Sequence, residues 1–269
     1  MELALCSLAS GSSGNCFLIK TEDTAVLVDA GISGRQTAER LAALGLSMKD
    51  ISAVLITHEH ADHIKGLRVV QKASGAKIYA SRGTLLGIPF ADELMEAQMF
   101  CPGEVFPVGS ISVQSFATSH DAAEPCGFSF TAGSRQITIV TDTGCVTDGC
   151  FKNMLGADIL VLESNHDESV LRMGHYPWFL KQRILSDHGH LSNEAAANAL
   201  LKVLQYEAES GGQVKSRLVL LAHLSKENNF PEMALATMSN ILGAGGFAEG
   251  SGLQLRVLSR SEPSPLYIL

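Results

Sequence analysis

The six cysteines, Cys6, Cys16, Cys101, Cys126, Cys145 and Cys150, include no CxxC pair and lie scattered along the chain. In a chain of 269 residues that spread excludes a dense disulfide framework and fits a reducing compartment. No apolar run approaches the length that spans a bilayer. The start, "MELALCSLASGSSGNC", has neither the basic opening nor the long apolar core of a secretory leader. "LALC" faintly resembles a lipoprotein box, but Leu5 is bulky before the cysteine and no hydrophobic leader precedes it. These absences lead to the expectation of a soluble, cytoplasmic protein. Charge blocks, proline-rich runs, low-complexity tracts and internal repeats are missing too, so nothing reads as a linker. The glycine pairs in "AESGGQVKS" and "GAGGFAEGSG" read as surface turns. With 46% hydrophobic residues, the expectation is one domain over residues 1–269. Positive charge is also short: Lys and Arg number 20 against 28 Asp and Glu, a net charge of −8. A broad positive field of the kind that holds duplex DNA is excluded.

What the chain does contain is an alternation of two patterns. Short β-branched runs such as "CFLIK", "AVLVDAG", "AVLITHEH", "QITIVTDTG", "ADILVLESNHD" and "RLVLLAHLS" read as strands. Between them, "GRQTAERLAALG", "IKGLRVVQKAS", "PWFLKQRILSDHG", "SNEAAANALLKVLQYEAES" and "FPEMALATMSNILGAGG" carry the 3.6-residue spacing of amphipathic helices. Pro177 is expected in the first turn of the third helix, and Ser192, with Glu194, at the N-terminal cap of the fourth. The mixture predicts stacked sheets flanked by helices.

Several strand runs end in a metal-competent side chain. Asp29 follows "AVLV", His58 and His60 follow "AVLIT", His120 follows "SFATS", Asp142 follows "TIVT", and His223 follows "LVLLA". The carboxyl ends of neighbouring strands are where open α/β sheets place their sites. In "LITHEHADHIKG", His58 and His60 are two apart and project to one side of an extended segment, and a bend then brings Asp62 and His63 within reach. Imidazole and carboxylate donors suit divalent metals, and a pair of ions needs about seven or eight such atoms. A distribution that fits is His58, His60 and His120 on one ion, Asp62, His63 and His223 on the other, with Asp142 bridging. Four donors within six positions are far harder to explain as unrelated polar residues than a lone histidine would be.

"THEHADHIKG" resembles the THxHxDHxxG signature of the metallo-β-lactamase superfamily, and the order Asp29, HxHxDH, His120, Asp142, His223 follows that superfamily's order of motifs. The resemblance implies an α/β fold, an αββα sandwich of two mixed β-sheets with helices on the outer faces. It also implies a binuclear site holding two divalent ions, zinc or manganese first, with iron or nickel as alternatives. Asp29 becomes a residue bracing the metal-binding loop from behind.

"LASGSSGNCFLI", "ESNHDESVL", "YPWFLKQRILSDHGHLSN" and "AHLSKENN" resemble one bacterial branch, the YycJ/WalJ type, related to ribonuclease Z-like phosphodiesterases. What that branch implies is 5′-to-3′ exonuclease activity on DNA, with nucleic acid ends as the partner and no membrane. On this reading a shared metal-bound water is deprotonated and attacks phosphorus in line. Asp62 orients it or takes its proton, and His190, just ahead of the Ser192 cap, faces phosphate or protonates the leaving oxygen. "GSSGNC" reads first as a turn between two strands, with Ser12, Ser13 and Asn15 as candidate substrate contacts. His166, Ser192, Lys181 and Arg183 are further candidates, the last two sitting two apart on a helix so that only one need face the site. His175 and His188 read as structural or solvated. A small phosphodiester or a thioester remains an alternative substrate, and a non-hydrolytic diiron protein binding a ligand or sensing redox state is the alternative from another class.

Overall fold

The apolar runs become short strands buried on both faces, as in "AVLV" at Ala25–Val28 and "ILVLE" at Ile159–Glu163. Strands covered on two sides lose the in–out alternation of an exposed sheet, the signature of parallel pairing beneath helices. The computed structural model describes residues 2–210, 215–248, 250 and 252–269. The glycine pair of "AESGGQVKS" lies outside them. The strands fall into two mixed sheets accompanied by helices, the class the sequence implied. The chain groups into two units: one takes the chain up to Ala117, then Ala122–Arg135 and Ser259–Leu269, and the other takes Thr118–Asp121 and Gln136–Leu258.

In the first unit, β1 (Ala4–Ala9), β2 (Cys16–Lys20) and β3 (Ala25–Val28) pair antiparallel. From β3 onward, β4 (Ala53–Leu55), β5 (Lys77–Ser81) and β6 (Ala97–Phe100) continue parallel. Parallel neighbours need crossovers. Helix α1 (Gly34–Ala43) supplies the first, α2 (Ala61–Ile64) and α3 (Leu67–Ser74) the second, and α4 (Arg82–Gly87) the third. A capping box of Ser33 and Gln36 starts α1, and Gly75, in the left-handed region at φ 76, ends α3. Leu18, Leu27, Val54, Ile56, Val70 and Ile78 belong to the core beneath them. An antiparallel meander follows, β7 (Val105–Val108), β8 (Ile111–Ala117) and β9 (Cys126–Ala132).

The second unit is a parallel array of β10 (Arg135–Val140), β11 (Ile159–Glu163), β12 (Arg217–Ala222) and β13 (Leu253–Val257). Its crossovers carry α5 (Asp148–Met154), then α6 (Glu168–Met173), α7 (Trp178–Ile184) and α8 (Asn193–Glu209), then α9 (Pro231–Ala244). Ser192 caps α8 as expected, its Oγ accepting from the Ala195 amide at 3.1 Å. Pro177 is the N-cap of α7, one residue ahead of the first turn where the sequence placed it. The chain returns to the first unit as β14 (Tyr267–Ile268), antiparallel to β1. No helix among the described residues is long and apolar enough to cross a membrane.

Candidate metal-binding site

In the first unit, His58 and His60 lie in the bend between β4 and α2, His60 as the N-cap, and Asp62 and His63 lie within α2 itself. Backbone bonds hold that bend in place: Asn15 N to Asp62 O at 2.8 Å, Ala30 N to His63 O at 2.8 Å, and Gly66 N to Ala30 O at 2.7 Å. So close an approach needs glycine. A Cβ on Gly31 would stand 1.6 Å from the Asp62 carbonyl oxygen, and one on Gly66 would stand 2.0 Å from that of Ile32. Asp29 follows β3 with φ 61, in the left-handed region that aspartate tolerates better than most residues. From there its Oδ1 accepts from Thr57 N at 2.8 Å and its Oδ2 from His63 Nδ1 at 2.7 Å. Thr57 has one hydroxyl proton, which it gives to Asp29 at 2.9 Å, so the His58 Nδ1 contact at 3.0 Å is donated by the ring. Both imidazoles therefore carry their proton on Nδ1 and present the Nε2 lone pair, the form that ligates a cation. Burial raises the Asp29 carboxyl above its ordinary range, with His63 and Thr57 opposing. Nearby, a ring nitrogen of His60 lies 3.0 Å from His58 Nε2, and Asp62 Oδ2 lies 3.6 Å from His63 Nε2.

The second unit assembles donors from distant positions. The β11–β12 register sets Glu163 against Ala222, so His223 emerges one residue beyond; β10–β11 sets Val140 against Leu162, so Asp142 emerges at the same end. Asp142 (φ 54) and His223 (φ 56) share the left-handed backbone of Asp29. Three of the four described non-glycine residues in that region are thus candidate site residues, where such strain tends to collect. Ligand atoms of Asp142, Glu163, His190 and His223 all lie within 4.8 Å of one another. Glu163 Oε1 accepts from His190 Nδ1 and His223 Nδ1, each at 2.8 Å, while Oε2 accepts from Thr143 N at 2.9 Å and Leu191 N at 3.2 Å. Burial alone would raise that carboxyl; the two imidazoles outweigh it and hold Glu163 well below the usual carboxylate range. His120 donates Nδ1 to Gly189 O at 3.0 Å, and its Nε2 lies 4.0 Å from Asp142 Oδ1. Burial holds the His120 pKa below the ordinary imidazole value, with Asp142 opposing. His120, His190 and His223 are again all fixed with Nε2 as the nitrogen on offer. In each unit, imidazoles that turn Nε2 outward beside carboxylates fit a divalent ion.

Glu163 is absent from the sequence-level ligand list. Its position at the end of the apolar run "ILVLE" resembles that of the other donors, but the run does not say which side chains will meet it. A carboxylate closing an apolar parallel strand needs partners. Asn165 ties the neighbouring segments together: its side chain donates to His223 O at 2.8 Å, its amide to Leu191 O at 2.9 Å, and its carbonyl accepts from Ser225 N at 2.8 Å.

The remaining candidates divide. Asn15 is buried with Nδ2 3.1 Å from His63 Nε2 and 3.4 Å from Asp62 Oδ2. Ser12 and Ser13 are exposed on the turn that Gly14 N to Gly11 O closes at 2.8 Å. Ser192 spends its hydroxyl on the α8 cap. His166 is 1% exposed, with neither ring nitrogen hydrogen-bonded, and burial pushes its pKa down to about 4. Lys181 is buried, and its ammonium donates to Arg172 O at 2.7 Å and Gly174 O at 2.6 Å. Arg183 is the exposed member of that pair and salt-bridges Asp121.

Residues 24–208 match the family described as the β-lactamase superfamily domain. The chain is 39% identical over 272 residues to exodeoxyribonuclease YycJ of Bacillus anthracis, covering 99% of both proteins. It belongs to the metallo-β-lactamase superfamily. Within that superfamily it sits in the YycJ/WalJ branch, being also 39% identical over 264 residues to exodeoxyribonuclease WalJ of Streptococcus pneumoniae, with 96% of this chain and 95% of that one covered. The metallo-β-lactamase fold protein YhfI from Bacillus subtilis has the same fold, with a TM-score of 0.73 at 15% identity over 100% of both chains.

Proposed function

We propose that this metal-dependent hydrolase is a 5′-to-3′ exonuclease acting on DNA ends in the cytoplasm, with residues 1–269 working as one metallohydrolase. The observation that carries the reading is the completeness of the donor chemistry. Each unit offers histidines held in the ligating tautomer beside an aspartate, Asp62 in one and Asp142 in the other. The relatives' name, exodeoxyribonuclease, favours DNA among phosphodiesters. We retain the sequence-level distribution as our assignment: His58, His60 and His120 on one ion, Asp62, His63 and His223 on a second, Asp142 shared. It rests on the order of motifs and on membership of the superfamily. Zinc or manganese suits these donors best, with iron or nickel as alternatives.

Divalent ions held by these residues would make a bound water acidic enough to react near neutral pH and would offset charge on the phosphoryl oxygens. The chain does the rest. Asp62, partly exposed, orients the attacking water or takes its proton. His190, whose side chain is 21% exposed, carries a proton at Nε2 toward the leaving oxygen. Glu163, accepting from His190 Nδ1 at 2.8 Å, holds the ring so that Nε2 faces outward for this transfer.

The test uses metal-reconstituted protein and single-stranded DNA labelled at either end. The expected result is early release of labelled mononucleotide from the 5′ label and a shrinking ladder from the 3′ label; DNA that stays intact beside a turned-over small ester removes the reading. A small phosphodiester or thioester as substrate is the second reading, favoured by the net charge of −8, since strand affinity grows with phosphate neutralisation. A redox-active diiron centre without turnover would appear in the same preparations as iron content with no hydrolysis.

A further inference from the structure

Trp178, the chain's single tryptophan, stands 61% exposed in the first turn of α7; beside it Phe179 is 72% exposed, and Met173 at the end of α6 is 80% exposed. The segment that carries them is braced. The buried ammonium of Lys181 binds two carbonyls at the end of α6, and Pro177 fixes the entry to α7. Two rings are thus held in solvent by a rigid turn.

Their place along the helix is informative. Phe179 and Arg183 are four apart and share one face of α7. Arg183 pairs with Asp121 Oδ2, and Asp121 Oδ1 lies 3.4 Å from Nε2 of His120. A seven-residue helix is about 10 Å long. That length equals about three nucleotides of stacked strand at about 3.4 Å each.

We propose that Trp178 and Phe179 form a stacking platform for the unpaired bases of a single-stranded DNA end, whose terminal phosphodiester lies at the donor set of the second unit. The proposal rests on the nuclease reading and deepens it. Every base has a π-face, so such a platform grips any sequence. Arg172, His175, Arg183 and His188 are exposed basic side chains on the same stretch of chain, and N–H donors of that kind suit a phosphate backbone. Both arginines already pair with a carboxylate, Glu168 and Asp121. Stacking therefore carries more of the affinity than charge does, and a chain of net charge −8 can hold a strand without a basic surface.

The single tryptophan makes the test direct. Metal-reconstituted full-length protein is titrated with a phosphorothioate-linked oligodeoxythymidine while tryptophan emission is read. Saturable quenching by the single strand, and none by a blunt duplex of equal length, is expected. Phe179→Leu keeps bulk and loses the ring, and should weaken the titration roughly 5- to 150-fold, whereas Phe179→Tyr should restore it. Absence of quenching in a protein that digests end-labelled single strands, with Phe179→Leu digesting at the wild-type rate, overturns the platform and leaves the nuclease reading standing. Neither quenching nor digestion overturns both. Quenching without digestion supports the platform and removes the nuclease reading. A blue shift on concentrating the protein without DNA assigns the rings to a second copy of the chain and overturns the proposal.

Discussion

In the first unit, four donors come from residues 58 to 63; in the second, donors come from positions 120, 142, 163, 190 and 223. Both solve the same problem of presenting Nε2 lone pairs beside a carboxylate, with different physics. The first set depends on one short loop docked by three backbone bonds against glycine-lined neighbours and braced by Asp29. The second depends on strand register, and on a single buried glutamate that holds two imidazoles at once. A local motif is robust to changes elsewhere in the sheet. A set gathered through register concentrates its risk in the residue that joins its members.

The largest effect should come from removing a donor from either set. His60→Ala in the first and Asp142→Asn in the second should each lower phosphodiester turnover by at least about 10²-fold at saturating metal, the scale of one lost electrostatic stabiliser. Steady-state kinetics with paired metal analysis checks this. Full activity in either variant would break the comparison, because one set would then be dispensable.

Next come the two carboxylates behind the donors. Asp29→Asn and Glu163→Gln should each weaken metal affinity about 10- to 100-fold, the usual worth of such partners. Glu163→Gln should sit at the upper end, since Glu163 orients His190 and His223 while Asp29 contacts His63 alone among the histidines by direct bond. Calorimetric titration of the chelated protein with zinc ranks them. Equal losses would mean that the second set is not organised around its glutamate.

His190 separates two roles. His190→Ala should cut turnover about 10²- to 10⁴-fold on a substrate with a poor leaving group and less with nitrophenolate, which departs without a proton. Metal content then decides the assignment. Loss of an ion in the variant makes His190 a ligand, as its place among Asp142, Glu163 and His223 allows.

The same contrast explains what could be read in the sequence. "HEHADH" is visible because all its donors are local, and the long helices α8 and α9 are visible because they show several periods. Helices α4, α5 and α6, of six or seven residues, show less than two full turns and went unread. Helix α7, equally short, was read because Pro177 marks its start and the pattern runs on past its end. Glu163 escaped because nothing in "ILVLE" tells that the register of β12 will set it beside His223. Lys181 and Arg183 look alike as sequence; only the packing of α6 against α7 shows that one ammonium is spent on carbonyls and the other cation is exposed.

The smallest effect at neutral pH belongs to His166, and it tests how dry the second unit is behind its donors. Its folded pKa is about 4 because burial disfavours the imidazolium, against about 6.5 for an unfolded histidine. As pH falls below 6.5 the unfolded chain takes up a proton that the folded chain refuses until about pH 4. Stability of the chelated protein therefore falls through that window, by about 3 kcal/mol at most, and the contribution is level above and below it. Glu163, held below its ordinary value, adds a loss of the same sign at lower pH. Denaturant titrations at stepped pH should show a shallower slope between pH 6.5 and 4 for His166→Gln than for the parent, whatever the packing cost of the change itself. Identical slopes would mean that the ring takes its proton while folded, so that water reaches it and the second unit is wetter behind Glu163 than its burial implies.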